Sequence, residues 1–392
     1  WWSQRKMNDR LFFSSFVSMV REMFSTDEFI PLHAPQFKGR EKELVLQTLE
    51  STFVSSVGEF VNEFETRLAD YTGAGFVVAT SSGTAALHTA LQLADVQNGD
   101  EVITVPLTFV ATCNAIRYCG AEPVFVDVEW QTLGLCPESL ASFLETHAEV
   151  RDDGLCWNRI SGRIIRACVP VHNLGHPVRI HEIAAICAKY NIRLVEDAAE
   201  SLGSLTSGVH TGRTGCMGTL SFNGNKIITT GGGGALITDD EVLADKAKHL
   251  TTTAKQSHPW LFLHDEVGFN YRLPNINAAL GCGQLEQLYE YVDAKRALAL
   301  RYQEWIDPLE GVAFFSEPIG TRSNYWLNAL LLENREVRDD FLQYTNDAGV
   351  MTRPMWTPMH TLPMYQNCQR DDLTTAQAIE ARLVNVPSSV LR

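Results

Sequence analysis

Three segments of the sequence carry side chains whose types and order could bind an anion and react with a carbonyl group. Ser81-Ser82-Gly83-Thr84 separates a predicted strand from a predicted helix, and glycine, hydroxyls and free helix-start amides can together bind a phosphate. Asp197 follows an apolar strand, at the carboxyl end where open α/β sheets bind ligands. Lys226 follows a later strand and precedes the glycine tract Gly231–Gly234.

Each of these signals has an ordinary structural explanation when it stands alone. Serine and threonine are common helix caps, a carboxylate after a strand can cap the next helix, and a lysine before glycines is usually a solvated loop residue. Their order is more specific, because a partly desolvated lysine can form a Schiff base with a carbonyl cofactor. A carboxylate such as Asp197 could keep a pyridine nitrogen protonated and make the ring an electron sink. The sequence therefore predicts a pyridoxal-phosphate site with Lys226 as its attachment point.

Two further side chains fall at the same predicted edge of the sheet. Ser221 lies five residues before Lys226, so its hydroxyl would come near the phosphate loop. Phe109 opens the helix after another predicted strand, where its ring could stack on the pyridine or simply pack in the core.

Short β-branched runs alternate with helical patterns from Gly75 onward, which indicates βαβ units and a mostly parallel sheet covered on both faces. The predicted strands are Phe76–Ala79, Glu101–Val105, Pro123–Val128, Ile164–Val171, Arg193–Val195, Leu220–Phe222 and Ala235–Thr238, with helices from Thr84, over Thr112–Tyr118, Ile180–Tyr190 and Asn277–Trp305. The last helix breaks at Pro308, so we predict a helical segment at 1–40, a large domain at 41–306 and a smaller α+β domain at 307–392. In the smaller domain we expect strands Val312–Phe315, Trp326–Leu332 and Val350–Arg353 and helices Val337–Ala348 and Thr374–Val384.

The composition argues against several classes of protein. A net charge of −15 over 392 residues disfavours a nucleic-acid binder and gives no attraction to an anionic membrane. Nine cysteines without a C-x-x-C pair disfavour a disulfide framework and a metal site, and they fit a cytoplasmic protein with reduced thiols. Leu11–Phe24 is predicted to be an amphipathic helix on the body of the protein, because it is too short and too interrupted by serines to span a bilayer.

The segments around Gly83, Asp197 and Lys226 resemble those of the sugar aminotransferases of the DegT/DnrJ/EryC1/StrS family, within the aspartate-aminotransferase class of fold type I. The resemblance runs from about Ile30 to the C-terminus, with specific stretches at Phe60–Glu65, Ser221–Gly234 and Gly268–Arg272. Finer features are similar to the LegC-type aminotransferases of the legionaminic-acid pathway; these are Glu196–Ser201, Thr251–Lys255, Pro274–Gly281 and Met351–Trp356.

The resemblance implies a fold type I enzyme with a seven-stranded-type sheet and pyridoxal 5'-phosphate as its cofactor. Lys226 would carry the cofactor and shuttle protons, Asp197 would pair with the pyridinium, and Phe109 would stack on one ring face. The implied phosphate contacts are Gly83, Thr84, Ser221 and Asn223.

Two other positions carry expectations from the same resemblance. Asn270 would reach the cofactor phosphate of the neighbouring subunit, so the working unit would be a homodimer. Glu200 stands where many relatives carry glutamine or histidine, near the cofactor ring or its hydroxyl. The retained Lys226 favours transamination over dehydration, because deoxygenating relatives carry histidine there.

The implied substrate is a nucleotide-linked 4-keto-6-deoxy (N-acetylamino) sugar, aminated at C4 with glutamate as donor in surface-glycan or nonulosonic acid biosynthesis. The candidate substrate contacts are Ser55, Ser56, Arg353, Trp356 and His360. Two alternatives stay open. One is another fold type I enzyme, a dehydratase or a lyase acting on an amino acid, and the other is a catalytically idle relative that acts as a binding protein.

Overall fold

The computed structural model describes residues 9–391, which contain a seven-stranded sheet, here called the large sheet, and a four-stranded sheet, here called the small sheet. A three-stranded and a two-stranded sheet accompany them. Within these residues the helices are α1 Asp9–Phe24, α2 Glu41–Ser51, α3 Glu59–Thr72, α4 Gly83–Leu93, α5 Val110–Tyr118, α6 Pro137–His147, α7 Ile180–Lys189, α8 Glu241–Thr251, α9 Asn275–Leu285, α10 Leu288–Ile306, α11 Arg335–Asp347 and α12 Thr374–Glu380. The strands are β1 Phe76–Thr80, β2 Glu101–Thr104, β3 Glu122–Phe125, β4 Ala148–Val150, β5 Cys156–Asn158, β6 Ile165–Val169, β7 Arg193–Asp197, β8 Leu205–Thr206, β9 Val209–His210, β10 Met217–Ser221, β11 Gly234–Thr238, β12 Val312–Phe314, β13 Thr321–Arg322, β14 Asn328–Leu332, β15 Arg353–Pro354 and β16 Leu383–Val386.

The large sheet has seven strands in the order β1-β11-β10-β7-β6-β2-β3. The neighbours from β10 to β3 pair in parallel, while β11 is antiparallel to both β1 and β10. Helices cover both faces: Val77 of β1 packs in one cluster with Phe64 of α3, whereas Val78 packs in another with Leu87 of α4, as expected for side chains that alternate along a strand. This arrangement confirms the predicted α/β architecture of fold type I.

The small sheet is antiparallel, with the strand order β12-β14-β16-β15. Its apolar face packs against helices α1, α10 and α11 through a cluster that includes Phe16, Tyr302 and Phe341. The helix predicted at Leu11–Phe24 is confirmed as α1, and the first eight residues of the predicted segment 1–40 lie outside the described residues. Within residues 9–391 no helix is long and apolar enough to cross a membrane.

Two predicted helices are wrong in extent. Asn277–Trp305 forms two helices, α9 and α10, because α9 packs against α2 and α3 while α10 continues to the small sheet. The helix predicted to reach Val384 ends at Glu380, since Leu383–Val386 pairs with both β14 and β15 as strand β16. Its β-branched and apolar residues suit a central strand that is buried on both faces.

Smaller differences affect the ends of predicted strands in the small sheet. Strand β14 begins at Asn328, and Trp326 lies in the segment before it. The strand predicted over Val350–Arg353 is reduced to β15, while Val350 forms an isolated bridge with Ile30.

Candidate active site

The first part of the site is the start of α4, which follows β1. The Ser82 hydroxyl caps this helix by accepting a hydrogen bond from the Ala85 amide at 3.0 Å. A Cβ atom on Gly83 would lie 2.9 Å from the Ser221 Cβ, and one on Gly234 would lie 2.4 Å from the Gly83 nitrogen. Glycine at these two positions therefore lets β10 and β11 approach the helix start, whose amides face outward from the end of the helix.

Asp197 is the last residue of β7 and is buried at the carboxyl edge of the large sheet. The Thr112 hydroxyl donates to its Oδ2 at 2.8 Å, and the Ala199 amide donates to its Oδ1 at 3.1 Å. Burial raises the pKa of the Asp197 carboxyl, and these two hydrogen bonds oppose the rise. The carboxylate is thus fixed in position while each oxygen keeps accepting capacity for a ligand.

A buried histidine–glutamate pair supports the strand behind Asp197. The Val178 amide donates to Nδ1 of His172 at 3.2 Å, so the proton lies on Nε2, which donates to Glu196 at 2.9 Å. Burial alone would raise the pKa of Glu196, but the hydrogen bonds from His172 and from the Gly215 and Gly212 amides hold it below its usual range. Glu196 is therefore ionised and anchored next to Asp197 in the chain.

Lys226 lies in the loop after β10, and its side chain is 12% exposed. Its Nζ is 3.5 Å from Oε1 of Glu200 and 3.8 Å from the centre of the Trp326 ring system. The other oxygen of Glu200 accepts a hydrogen bond from the Leu174 amide at 2.8 Å. Burial raises the pKa of Glu200, and the charge of Lys226 opposes this shift.

The start of α4, Asp197, Glu200 and Lys226 line one cavity of about 380 Å³ at the carboxyl edge of the large sheet. Phe109 precedes α5 at the cavity, and 54% of its surface is exposed. The structure brings together nine predicted site residues here: Gly83, Thr84, Phe109, Asp197, Glu200, Ser221, Asn223, Lys226 and Trp356.

Five other predicted site residues lie outside the lining of this cavity. Arg353 is exposed and donates to Oδ1 of Asn346 at 2.9 Å, while Asn270 is exposed and bridges to Thr252. The remaining three are Ser55, Ser56 and His360.

Thr112 and Trp326 also line the cavity and contact Asp197 and Lys226, but neither is among the predicted site residues. Thr112 lies three residues after Phe109, so one turn of α5 brings its hydroxyl to the same edge; this spacing could have identified it. Trp326 comes from the segment before β14 of the small sheet. No local motif links it to Lys226, because their proximity depends on how the two sheets pack.

Comparison with known proteins gives consistent matches along most of the chain. Residues 35–391 match the DegT/DnrJ/EryC1/StrS aminotransferase family. EpsN of Bacillus subtilis (strain 168), whose assigned name is that of a pyridoxal phosphate-dependent aminotransferase, is 38% identical over 336 residues, which are 86% of this chain and 84% of EpsN. GDP-perosamine synthase of Escherichia coli O157:H7 is 34% identical over 92% of this chain and 93% of its own length. The crystal structure of the aminotransferase TlmJ from Streptoalloteichus hindustanus gives a TM-score of 0.83 at 28% identity and covers 92% of this chain and 93% of TlmJ.

Proposed function

Because the chain belongs to the DegT/DnrJ/EryC1/StrS aminotransferase family, and is therefore a pyridoxal phosphate-dependent sugar aminotransferase acting on nucleotide sugars, we propose its substrate and the roles of its residues. The proposed acceptor is a nucleotide-linked 4-keto-6-deoxy (N-acetylamino) sugar, which receives an amino group at C4 from glutamate, as in the LegC-type branch. The observation that carries the assignment is that Lys226, Asp197 and the Gly83 helix start, far apart in sequence, line one cavity.

The residues of the cavity fit the cofactor. Asp197 keeps accepting capacity for a ring nitrogen, and Phe109 presents an exposed aromatic face that could cover one side of the ring. The start of α4, with Gly83, Thr84 and Ser221 close together, supplies amides and hydroxyls for a phosphate. When bound, the cofactor supplies an electron sink that stabilises negative charge on the carbon being deprotonated.

The chain's own groups have distinct proposed tasks at this site. Lys226 would hold the cofactor through its amine, and when that amine is free its Nζ would take up and return the proton of the reacting carbon. Asp197 would keep the ring nitrogen of the cofactor protonated. The Glu200 carboxylate lies 3.5 Å from the Lys226 amine and can form an ion pair with it. The aromatic side chains of Phe109, Trp326 and Trp356 form part of the cavity wall, and an apolar wall strengthens the electrostatic interactions beside it.

The sugar side of the site is proposed to involve the C-terminal unit, residues 307–392. Trp356 lines the cavity and stacks on Trp326, with ring centres 6.4 Å apart. Its flat face suits the apolar face of a sugar ring. Arg353 and His360 belong to the same stretch of chain, and we propose that they contact the nucleotide part of the substrate.

We further propose that the site is completed by a second copy of the chain. Exposed apolar side chains support this, because Trp260 is 77% exposed and Phe262 is 81% exposed in the segment that leads to Asn270. Loop 53–58, which contains Ser55 and Ser56, also carries exposed apolar side chains. A homodimer would cover both regions and would allow Asn270 to reach the partner's cofactor phosphate.

Composition and cysteine state support a cytoplasmic setting for this reaction, in the biosynthesis of a surface glycan or nonulosonic acid. All nine cysteines are free thiols, and free thiols persist where the surroundings are reducing.

The substrate proposal is tested by a half-reaction. Protein loaded with pyridoxamine phosphate is mixed with 4-keto-6-deoxy nucleotide sugars, the free keto-sugar and simple α-keto acids, and the return of the aldehyde form of the cofactor is followed by absorbance. We expect a nucleotide sugar to react about 100-fold faster than the free sugar, because remote groups orient the reacting carbonyl. A preference for an α-keto acid over every nucleotide sugar would favour an enzyme acting on amino acids.

A further inference from the structure

The surroundings of the Lys226 amine include two groups that belong to different parts of the chain. Glu200 follows β7 of the large sheet, and Trp326 precedes β14 of the small sheet. We propose that Glu200 and Trp326 form a cage that aims the Lys226 amine at the cofactor aldehyde, and that Asn324 is the positioning residue that holds both walls of this cage. The proposal rests on the proposed role of Lys226 as the attachment point.

Trp326 restrains Lys226 in two ways. Its ring lies 3.8 Å from Nζ, a distance at which the face of an indole attracts an ammonium group. Its ring N–H donates to the carbonyl oxygen of Asn225 at 2.7 Å, which fixes the backbone immediately before Lys226. The tip and the base of the lysine side chain are thus both held by the same residue.

Asn324 connects the two walls through its side chain. Its Nδ2 donates to the carbonyl oxygens of Glu200 and Leu202, each at 2.9 Å. Its Oδ1 accepts a hydrogen bond from the backbone amide of Trp326 at 2.8 Å. The backbone amide of Asn324 donates to the Ser204 hydroxyl at 2.9 Å. A fully buried amide that satisfies groups on both walls fixes the distance between them.

The backbone around Asn324 is adapted to its position. Gly175 has φ +96°, and a Cβ on it would lie 1.9 Å from Oδ1 of Asn324. The Gly175 carbonyl accepts hydrogen bonds from the hydroxyls of Ser204 at 2.7 Å and Ser323 at 2.9 Å. Only glycine leaves room for the Asn324 side chain at this point. Asn324 therefore has a fixed position between the two sheets.

The cage has a definite consequence for covalent capture of the cofactor. One proton of the Lys226 ammonium group passes to the neighbouring Glu200 carboxylate. The neutral nitrogen then bonds to the aldehyde carbon while the aldehyde oxygen leaves as water. A lysine side chain has four rotatable bonds, so an unrestrained amine would rarely point at the aldehyde. Restraint of the amine raises the capture rate through orientation, whereas noncovalent cofactor binding depends on the phosphate and ring contacts elsewhere in the cavity.

The test uses full-length apoprotein of the wild type, Asn324→Ala, Trp326→Leu and Trp326→Phe. Capture of added pyridoxal phosphate is stopped at intervals with borohydride, and the labelled Lys226 peptide is quantified by mass spectrometry. Equilibrium affinity for pyridoxamine phosphate, which has no aldehyde and cannot bond to the lysine, is measured in parallel. Asn158→Ala is the matched control, because Asn158 is also fully buried and donates two hydrogen bonds, to Glu101 and Gln369.

We expect Asn324→Ala and Trp326→Leu to slow capture by about tenfold or more, and Trp326→Phe to slow it less because an aromatic face remains. Pyridoxamine phosphate affinity should stay within about twofold, and Asn158→Ala should change neither quantity. Unchanged capture in folded variants, or an affinity that falls by the same factor as the capture rate, would overturn the cage. Labelling of wild-type protein at another lysine would instead contradict the proposed role of Lys226, so the two failures are distinguishable.

Discussion

Among residues 9–391, two lysines are withdrawn from solvent, and their surroundings differ in kind. Lys226 is slightly exposed, faces a cavity, and has a carboxylate 3.5 Å and an indole ring 3.8 Å from its amine. Lys295 of α10 is fully buried and donates a hydrogen bond to the carbonyl oxygen of Ser388. Burial lowers the pKa of Lys295 to about 7, and no charged group in the described part of the chain opposes this shift.

The difference teaches that burial and a perturbed pKa do not by themselves identify a reactive lysine. Lys295 has a lowered pKa, yet it is enclosed by the packing of α10 against the C-terminal segment, away from the lining of the cavity. Lys226 combines access to a cavity with partners that hold its amine. Reactivity is therefore predicted from access and orientation, and three substitutions test this contrast.

The largest expected effect is on turnover when the Lys226 amine is removed. Lys226→Ala should lower kcat by about 10³-fold or more, because both covalent attachment and the proton carrier are lost. Lys295→Met is the matched control and should keep kcat within about twofold. Near-normal turnover of folded, cofactor-loaded Lys226→Ala, measured by product formation, would remove the distinction between the two lysines.

A smaller loss is expected when the charge of Asp197, which lines the same cavity as Lys226, is removed. Asp197→Asn keeps the shape of the side chain but loses the charge that favours a protonated ring nitrogen, so kcat should fall on the order of 100-fold. Cofactor should still bind through its phosphate contacts, as measured by equilibrium dialysis. A rate equal to that of the wild type would show that Asp197 has no electronic role.

The smallest expected effect is on stability, at Lys295. Its pKa of about 7 in the folded protein lies below the usual lysine value of 10.5, so the unfolded chain holds the proton more tightly between these pH values. The contribution of Lys295 to the free energy of unfolding therefore rises as the pH increases from about 7 to 10.5. Below pH 7 the buried lysine destabilises the protein to its full extent. Lys295→Met should be more stable by about 2 kcal/mol at pH 7, after allowance for the lost hydrogen bond. Its advantage in urea denaturation should shrink as pH rises, and a constant difference would contradict buried charge as the cause.

The sequence was most informative where function depends on short segments at strand ends. The strand before Asp197, the helix start at Gly83 and the loop of Lys226 could all be predicted, because β-branched runs and glycines mark them locally. Trp326 and Asn324 could not, since they reach the site only when the small sheet docks on the large one. Likewise, the end of α12 at Glu380 and the start of β16 at Leu383 depend on pairing with β14 and β15, which no local pattern specifies.

The central claim is that Lys226, and not the buried Lys295, carries the cofactor. The most direct measurement is borohydride reduction of the cofactor-loaded wild-type protein and of Lys295→Met, followed by digestion and mass spectrometric mapping of the modified lysine. The account predicts one modified lysine per chain, Lys226, in both proteins, and no stoichiometric label in Lys226→Ala. A label on Lys295 or on any other lysine of the wild-type protein would contradict it.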